Sequence, residues 1–243
     1  MSVFTIADLH LSTLASTNKS MEVFGKRWAD YQKRIEQNWR RLVTKDDVVI
    51  IPGDISWALS LPEALSDLKF IDSLPGRKIL GKGNHDFWWC TMKKHEAFFE
   101  QNGITTISFL YNNAYEFDSF IAAGTRGWFH DEDATGVPDN TDFIKLMNRE
   151  EGRLRLSLKE AVRLKEASPE KPIIAFTHFP PFWCGKAADN IVNTLREFNV
   201  EKVYFGHIHG SYAVPDTFTY EGIKMCLISA DYLEFVPKIV TPD

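Results

Sequence analysis

Val48-Val49-Ile50-Ile51-Pro52-Gly53-Asp54 joins a very apolar run to a glycine and a carboxylate across a single proline. The run reads as a β-strand; Gly53 lets the backbone turn tightly after it, and Asp54 is carried to the edge of a sheet. Short β-rich runs of the same kind recur at 3–7, 78–80, 106–110, 114–117, 120–123, 173–177, 202–205 and 224–229, each bounded by Gly, Pro, Asn or Asp. Helical patterns lie between them. Trp28, Tyr31, Ile35, Trp39 and Leu42 fall at three- and four-residue intervals, with Lys33, Arg34, Arg40 and Arg41 on other faces, which predicts a helix with one side toward the core. Ser60-Leu61-Pro62-Glu63 reads as a capping box opening a helix that presents Ala64, Leu65, Leu68 and Ile71 and stops at Pro75-Gly76. Further helices are expected over 92–101, 144–166 and 188–198. The class is therefore α/β. The first three strand-helix units predict right-handed crossovers, and the shorter connections after Thr106 predict added hairpins, so a purely parallel sheet is not expected.

At 243 residues, with 44% hydrophobic and 25% charged residues, the chain can bury a core of its own and is read as one domain over 1–243. No fixed-period repeat, low-complexity tract or Gly/Ser linker divides it. A formal net charge of −5 gives no overall basic field, so neither nucleic acid nor an anionic membrane is the first partner expected. Cys90, Cys184 and Cys226 are odd in number and widely spaced, which predicts free thiols and a reducing compartment. The N-terminus has no basic leader, and no segment approaches the ~20 apolar residues of a membrane span, so a cytoplasmic location is the expectation.

In sheets with crossover helices, ligands collect beyond the carboxyl ends of the strands. That rule selects five segments here. Asp8-Leu9-His10 follows the first strand, and an extended backbone would send Asp8 and His10 to one side with Leu9 pointing away. Asp54 follows the second strand, and a carboxylate can bridge two cations. Gly83-Asn84-His85-Asp86 follows the third and combines an amide oxygen for a hard cation, an imidazole able to donate a proton and a carboxylate able to orient it. His178 ends the run at 173–177, and Gly206-His207-Ile208-His209-Gly210 ends the run at 202–205. Taken singly, a turn aspartate, a surface histidine or a plain turn accounts for several of these. Taken together, they bring only nitrogen and oxygen donors to strand ends in one order.

The order D-x-H, G-D, G-N-H-D, H and G-H-x-H over residues 8 to 209 resembles the calcineurin-like metallophosphoesterases. The resemblance implies a four-layer α/β/β/α sandwich with two mixed sheets and two metal ions, for which the donor set suits manganese, iron, zinc, cobalt or nickel. It implies that Asp8, His10, Asp54 and His209 hold the first ion and that Asp54, Asn84, His178 and His207 hold the second, with Asp54 shared. It further implies in-line attack by a metal-bridging hydroxide on a small phosphomonoester or phosphodiester, His85 protonating the leaving group or stabilising the transition state and Asp86 orienting His85. Two rival readings are a metal-dependent nuclease, which requires a basic groove, and a non-catalytic scaffold, which would not require an intact site.

Aromatic residues crowd the same segments: Trp57 after Asp54, Phe87-Trp88-Trp89 after His85, and Phe179, Phe182 and Trp183 after His178. They either wall a pocket for a nucleobase or aryl group or pack the loops together. Arg126, after the run at 120–123, is a candidate for gripping a phosphate oxygen or for a surface salt bridge. The stretch 130–166, with Leu154, Leu158, Ala161 and Val162 at helical spacing, reads either as a cap over the site or as a surface helix. His95 and His130 read as surface or packing residues. Ser229-Ala230-Asp231-Tyr232 departs from the Asn/Gly/Ser-rich turn common in the family and bears on substrate specificity.

Overall fold

The computed structural model of the chain describes residues 1–13, 20–128 and 143–242. The strands are β1 (Val3–Thr5), β2 (Val48–Pro52), β3 (Arg77–Gly81), β4 (Ile107–Phe109), β5 (Tyr115–Glu116), β6 (Ile121–Thr125), β7 (Ile173–Thr177), β8 (Phe182–Trp183), β9 (Lys186–Ala187), β10 (Lys202–Phe205), β11 (Thr217–Tyr220), β12 (Ile223–Leu227) and β13 (Lys238–Ile239). One sheet runs β13-β1-β2-β3-β4 and the other β11-β12-β10-β7-β6-β5. The inner pairings are parallel, whereas β13, β11 and β5 join antiparallel at the edges. Both sheets are mixed, as the change in connection length along the chain predicts.

Side-chain alternation with period two decides the layering. Val49 and Ile51 of β2 meet Ile35 and Trp39 of α1 (Tyr31–Leu42), Leu68 and Ile71 of α2 (Leu65–Ser73) and Phe99 of α3 (Met92–Asn102). Their neighbours Val48 and Ile50 point the other way, against Ile174, Phe176 and Tyr204 of the second sheet. Ile173 and Ala175 of β7 then meet Leu154, Leu158 and Ala161 of α4 (Phe143–Lys165) and Ile191 and Leu195 of α5 (Asp189–Glu197). Three apolar cores between four layers make the α/β/β/α sandwich.

Several local expectations are corrected. α1 starts at Tyr31, because Ala29 is extended and Asp30 is left-handed (φ 53°), so Trp28 reaches the same core from a preceding 3-10 turn. Leu42, at 37% exposure, leaves that core. The box at Ser60 does not form: Glu63 accepts from Leu59 N at 3.0 Å, and α2 begins only at Leu65. On α4, Leu154, Leu158 and Ala161 are buried and Val162 is exposed. α4 lies along β6 and α5 as an outer layer of the second sheet. The remainder of the expected cap, 130–142 with His130, lies outside the described residues. The β8-β9 hairpin, β11 and β13 fall outside the expected elements; they are short runs without a marked apolar signal. His95 is buried among aromatic rings and accepts from Cys90 N, a packing residue as expected. The three cysteines are free, and among the described residues no helix is long and apolar enough to cross a membrane.

Candidate metal centre

Because β1, β2 and β3 run parallel in one sheet and β7, β10 and β12 run parallel in the other, each set delivers its carboxyl ends to one edge. The two edges are tied together. Ala7 N donates to Ile228 O and Ala230 N to Ala7 O, each at 2.9 Å, which links the end of β1 to the end of β12. The loops that leave these strands turn sharply. Asp8 (φ 60°), His10 (φ 44°), Asp54 (φ 52°) and His207 (φ 70°) all take left-handed backbone, a conformation unfavourable for non-glycine residues. The extended backbone expected across Asp8-Leu9-His10 is thus absent; Leu9 is buried in the core, and Asp8 and His10 still reach one centre.

Two glycines permit the close approach. A Cβ on Gly83 would lie 2.1 Å from Asp54 Oδ1, and one on Gly206 would lie 2.6 Å from Asp8 Oδ2. In their absence His85 N donates to Asp54 Oδ1 and His207 N to Asp8 Oδ2, both at 2.8 Å.

Six of the seven expected ligands come together in two groups, and Asn84 lies against the second. Asp8, His10 and His209 form one and Asp54, His178 and His207 the other, the ligand atoms of each lying within 4.8 Å of one another. His10 Nε2 is 3.1 Å from His209 Nε2, and Asp8 Oδ1 is 3.9 Å from His209 Nε2. Asn84 Oδ1 is 2.7 Å from His178 Nε2 and 3.1 Å from His207 Nδ1. Asp54 Oδ2 stands between the groups, 3.5 Å from both His10 Nε2 and His178 Nε2. Ligands at ~2.1 Å from one ion lie within ~4.2 Å of each other, a limit that the individual separations of 2.7 to 3.9 Å meet.

The electrostatics match a cation site. Burial pushes Asp8 up to about 6. Burial, with the Asp86 and Asp8 charges added, raises Asp54 well above the usual carboxylate range. Burial also lowers His207 to about 4 and holds His10 and His178 well below the usual imidazole range, with neighbouring histidines adding to the effect. Neutral imidazoles offer lone pairs, and the buried Asp8 carboxylate has the His209 imidazole, raised against burial by Asp231 and Asp8, as its counter-charge. Asp8 Oδ1 is buried without a hydrogen-bond partner. A cation satisfies such an atom, so the residues fit a metal centre of nitrogen and oxygen ligands.

His85 borders a cavity of about 360 Å³ together with His10, His209, Trp28 and Trp57. Its ring centroid lies 5.5 Å from that of His10 and 4.5 Å from that of Trp57. Asp86 is occupied by the backbone: its oxygens accept from Gly83 N (2.8 Å), Asp54 N (2.9 Å), Ile55 N (2.9 Å), Ser56 N (3.3 Å) and Trp88 Nε1 (2.9 Å). It braces the two loops that carry Asp54 and Asn84. The Arg126 guanidinium donates to Glu150 at 3.0 Å, and its carbonyl accepts from His178 N. Of the aromatic residues, Trp57 stacks on His10 at 4.7 Å, Phe179 lies 4.3 Å from His207, and Trp88 is buried in the core. Phe182 and Trp183 pack against Tyr220 and Phe218 instead.

One functional partner escaped the motif reading. Asp231 Oδ1 lies 3.0 Å from His209 Nδ1, while Oδ2 accepts from Gly210 N and Tyr212 Oη, each at 3.0 Å. Burial works to raise the Asp231 carboxyl, but these bonds and the His209 charge outweigh it and hold it low. An ionised carboxylate only accepts, so His209 Nδ1 is the donor, which leaves Nε2, facing His10, as the atom that would lose its proton to bind a metal. The strand-end rule that selected the other segments also selects Asp231, which follows β12.

A family model described as calcineurin-like phosphoesterase matches residues 1–211. A comparison with curated proteins gives no match. Among solved structures, the chain is similar to the phosphopantetheinyl hydrolase of Mycobacterium tuberculosis (TM-score 0.53, 15% identity, covering 100% of this chain and 96% of that one). It is also similar to the protein TT1561 of Thermus thermophilus (TM-score 0.55, 10% identity, covering 99% and 98%). At these identities the structures speak to the fold alone. The matched family model over a strand-end cluster of Asp, His and Asn ligands identifies the chain as a member of the calcineurin-like phosphoesterase family.

Proposed function

We propose that this protein is a phosphohydrolase that depends on two metal ions and cleaves a small phosphomonoester or phosphodiester. The observation that carries the reading is Asp54, whose Oδ2 is 3.5 Å from a histidine of each ligand group and so suits a shared ligand. Asp8, His10, Asp54 and His209 would hold one ion, and Asp54, Asn84, His178 and His207 the other. Bound metals supply Lewis-acid charge at the phosphoryl oxygens and lower the pKa of water. The remaining work falls to the chain itself. Asp86 positions the loops of Asp54 and Asn84 through its amide bonds, a role different from orienting His85. His85, at the cavity wall, gives a proton to the leaving oxygen. The phosphate grip expected of Arg126 is not carried into this reading, because Glu150 holds its guanidinium.

The test separates ligand from acid. Asp54→Asn should lower both metal content and turnover of aryl phosphomonoesters and diesters, whereas His85→Ala should lower turnover with metal content retained. Wild-type turnover in both variants would remove the assignment.

A further inference from the structure

The cavity beside the metal centre has a composition that says what kind of molecule it takes. Its walls are Trp28, Trp57, Met21, Phe24 and Tyr212, and among the described residues no Lys, Arg, Asp or Glu side chain lines it. Several polar groups near its wall are already engaged. Gly210 N and Tyr212 Oη both donate to Asp231, and Arg27, 4.7 Å above the Tyr212 ring, donates to Asp231 O and Glu234. The two indoles flank the histidines of one ligand group: Trp57 stacks on His10, and Trp28 meets His10 and His209 edge-on. Phe24, 69% exposed, continues the apolar surface to the mouth, and Phe87, 59% exposed, lies against His85.

Resting on the phosphohydrolase reading, we infer that the organic part of the substrate is an uncharged aromatic group, carried on an aryl or arylalkyl phosphate ester and seated against Trp28 and Trp57. A volume of about 360 Å³ falls in the range of small-molecule pockets. Flat rings gain from offset or edge contact with indoles, and an apolar wall adds the desolvation of the ring faces. A sugar phosphate or a polyphosphate would bring hydroxyls or charge to a wall whose described side chains, the imidazole and indole nitrogens and the Tyr212 hydroxyl apart, are apolar. A nucleobase has a suitable face, but its donor and acceptor edge would lose water against a wall made mostly of ring and thioether surface. Hydrolysis breaks the bond between phosphorus and the oxygen bearing the aryl group. Water supplies the oxygen that replaces it on phosphorus, and a proton ends on the released alcohol.

The test uses two phosphate esters whose leaving alcohols are similarly basic, naphthylmethyl phosphate and ethyl phosphate, with the Mn²⁺-supplied protein. The expected kcat/KM favours the naphthylmethyl ester at least about tenfold, the discrimination a single apolar group can supply in a pocket. Calorimetric titration of naphthylmethylphosphonate and methylphosphonate reads the same preference without turnover. Phe24→Ser, a change at an exposed ring, and Trp57→Ala should each reduce the preference ratio. Equal handling of the two esters, with both turned over, would overturn the inference and leave the hydrolytic reading standing. Preferential binding of the naphthyl phosphonate with no ester hydrolysed would do the reverse. A preference for nucleoside monophosphates over the naphthylmethyl ester would also overturn it.

Discussion

Asp231→Asn should weaken one metal position and spare the other. Asp231 is buried and serves three donors, His209 Nδ1 through Oδ1 and Gly210 N and Tyr212 Oη through Oδ2, each at 3.0 Å. An amide has one acceptor oxygen, so the variant must face at least one of these donors with its own N–H groups. With the amide nitrogen toward His209, the ring is driven to the tautomer whose Nε2 carries the proton and offers no lone pair. With the oxygen toward His209, Gly210 N and Tyr212 lose their acceptor and the ring loses a charged partner. Removal of such a support to a metal-ligating histidine lowers affinity ~10–100-fold, or about 1.4–2.7 kcal/mol. The loss should fall on the ion that Asp8, His10 and His209 would hold, because among the described residues the carboxylate bonds of Asp231 reach His209, Gly210 and Tyr212 and none of the other group. A two-site titration against a fluorescent chelator, following Mn²⁺ or Zn²⁺, should show one affinity lowered and the second within about threefold of wild type. Tyr212→Phe removes one neutral donor and should lower the same affinity only ~2–10-fold. Equal weakening of both ions by Asp231→Asn, or of neither, would refute the reasoning.

Gly83→Ala places a Cβ 2.1 Å from Asp54 Oδ1, so the shared carboxylate must move; metal content by mass spectrometry and turnover should both fall while circular dichroism still reports a folded chain. Burial raises the Asp8 carboxyl to about 6, so below that pH an ion must displace its proton, and metal affinity should decline on acidification from pH 7 to 5, with proton release visible in buffers of different ionisation enthalpy. The same raised value means that, without metal, the contribution of Asp8 to stability is fully present below about pH 4 and lost as pH rises through about 6. The difference in melting temperature between wild type and Asp8→Asn in chelator should follow that course. Lys78, buried in β3, donates to the carbonyl oxygens of Asp72 (3.2 Å), Leu74 (2.7 Å) and Gly76 (2.9 Å) around the end of α2. Lys78→Met should lower the stability read by urea unfolding by about 2–4 kcal/mol, with metal content unchanged.

What was legible in the sequence was what is local to a strand and its exit. Apolar runs such as 48–51 fix buried strands, and polar residues directly after them land at the sheet edge, so the segments carrying the seven candidate ligands stand out from order and spacing, while their division between two ions is what the family resemblance implies. What the sequence hid depends on distant partners. The side chain of Arg126 is settled by Glu150 on α4, 24 residues on. The oxygens of Asp86 are taken by amides from the β2 loop, 30 to 32 residues back, as well as by Gly83. Trp28 and Tyr212 reach one cavity from opposite ends of the chain. The left-handed turns at Asp8 and His10 were hidden for another reason: neither residue type demands φ > 0, and the strain is held by bonds to Gly53 O and Asp54 O. Asp231 was within reach of the strand-end rule, but the short apolar stretch of β12 runs into Ser229 and Ala230, and no family motif marks the carboxylate after it.

The most direct measurement is a crystal structure of the protein grown with Mn²⁺, with anomalous maps collected at the manganese edge. The account predicts two peaks, with the Asp54 carboxylate between them, Asn84, His178 and His207 on one and Asp8, His10 and His209 on the other. A single peak, or two that leave Asp54 bound to only one ion, would contradict it.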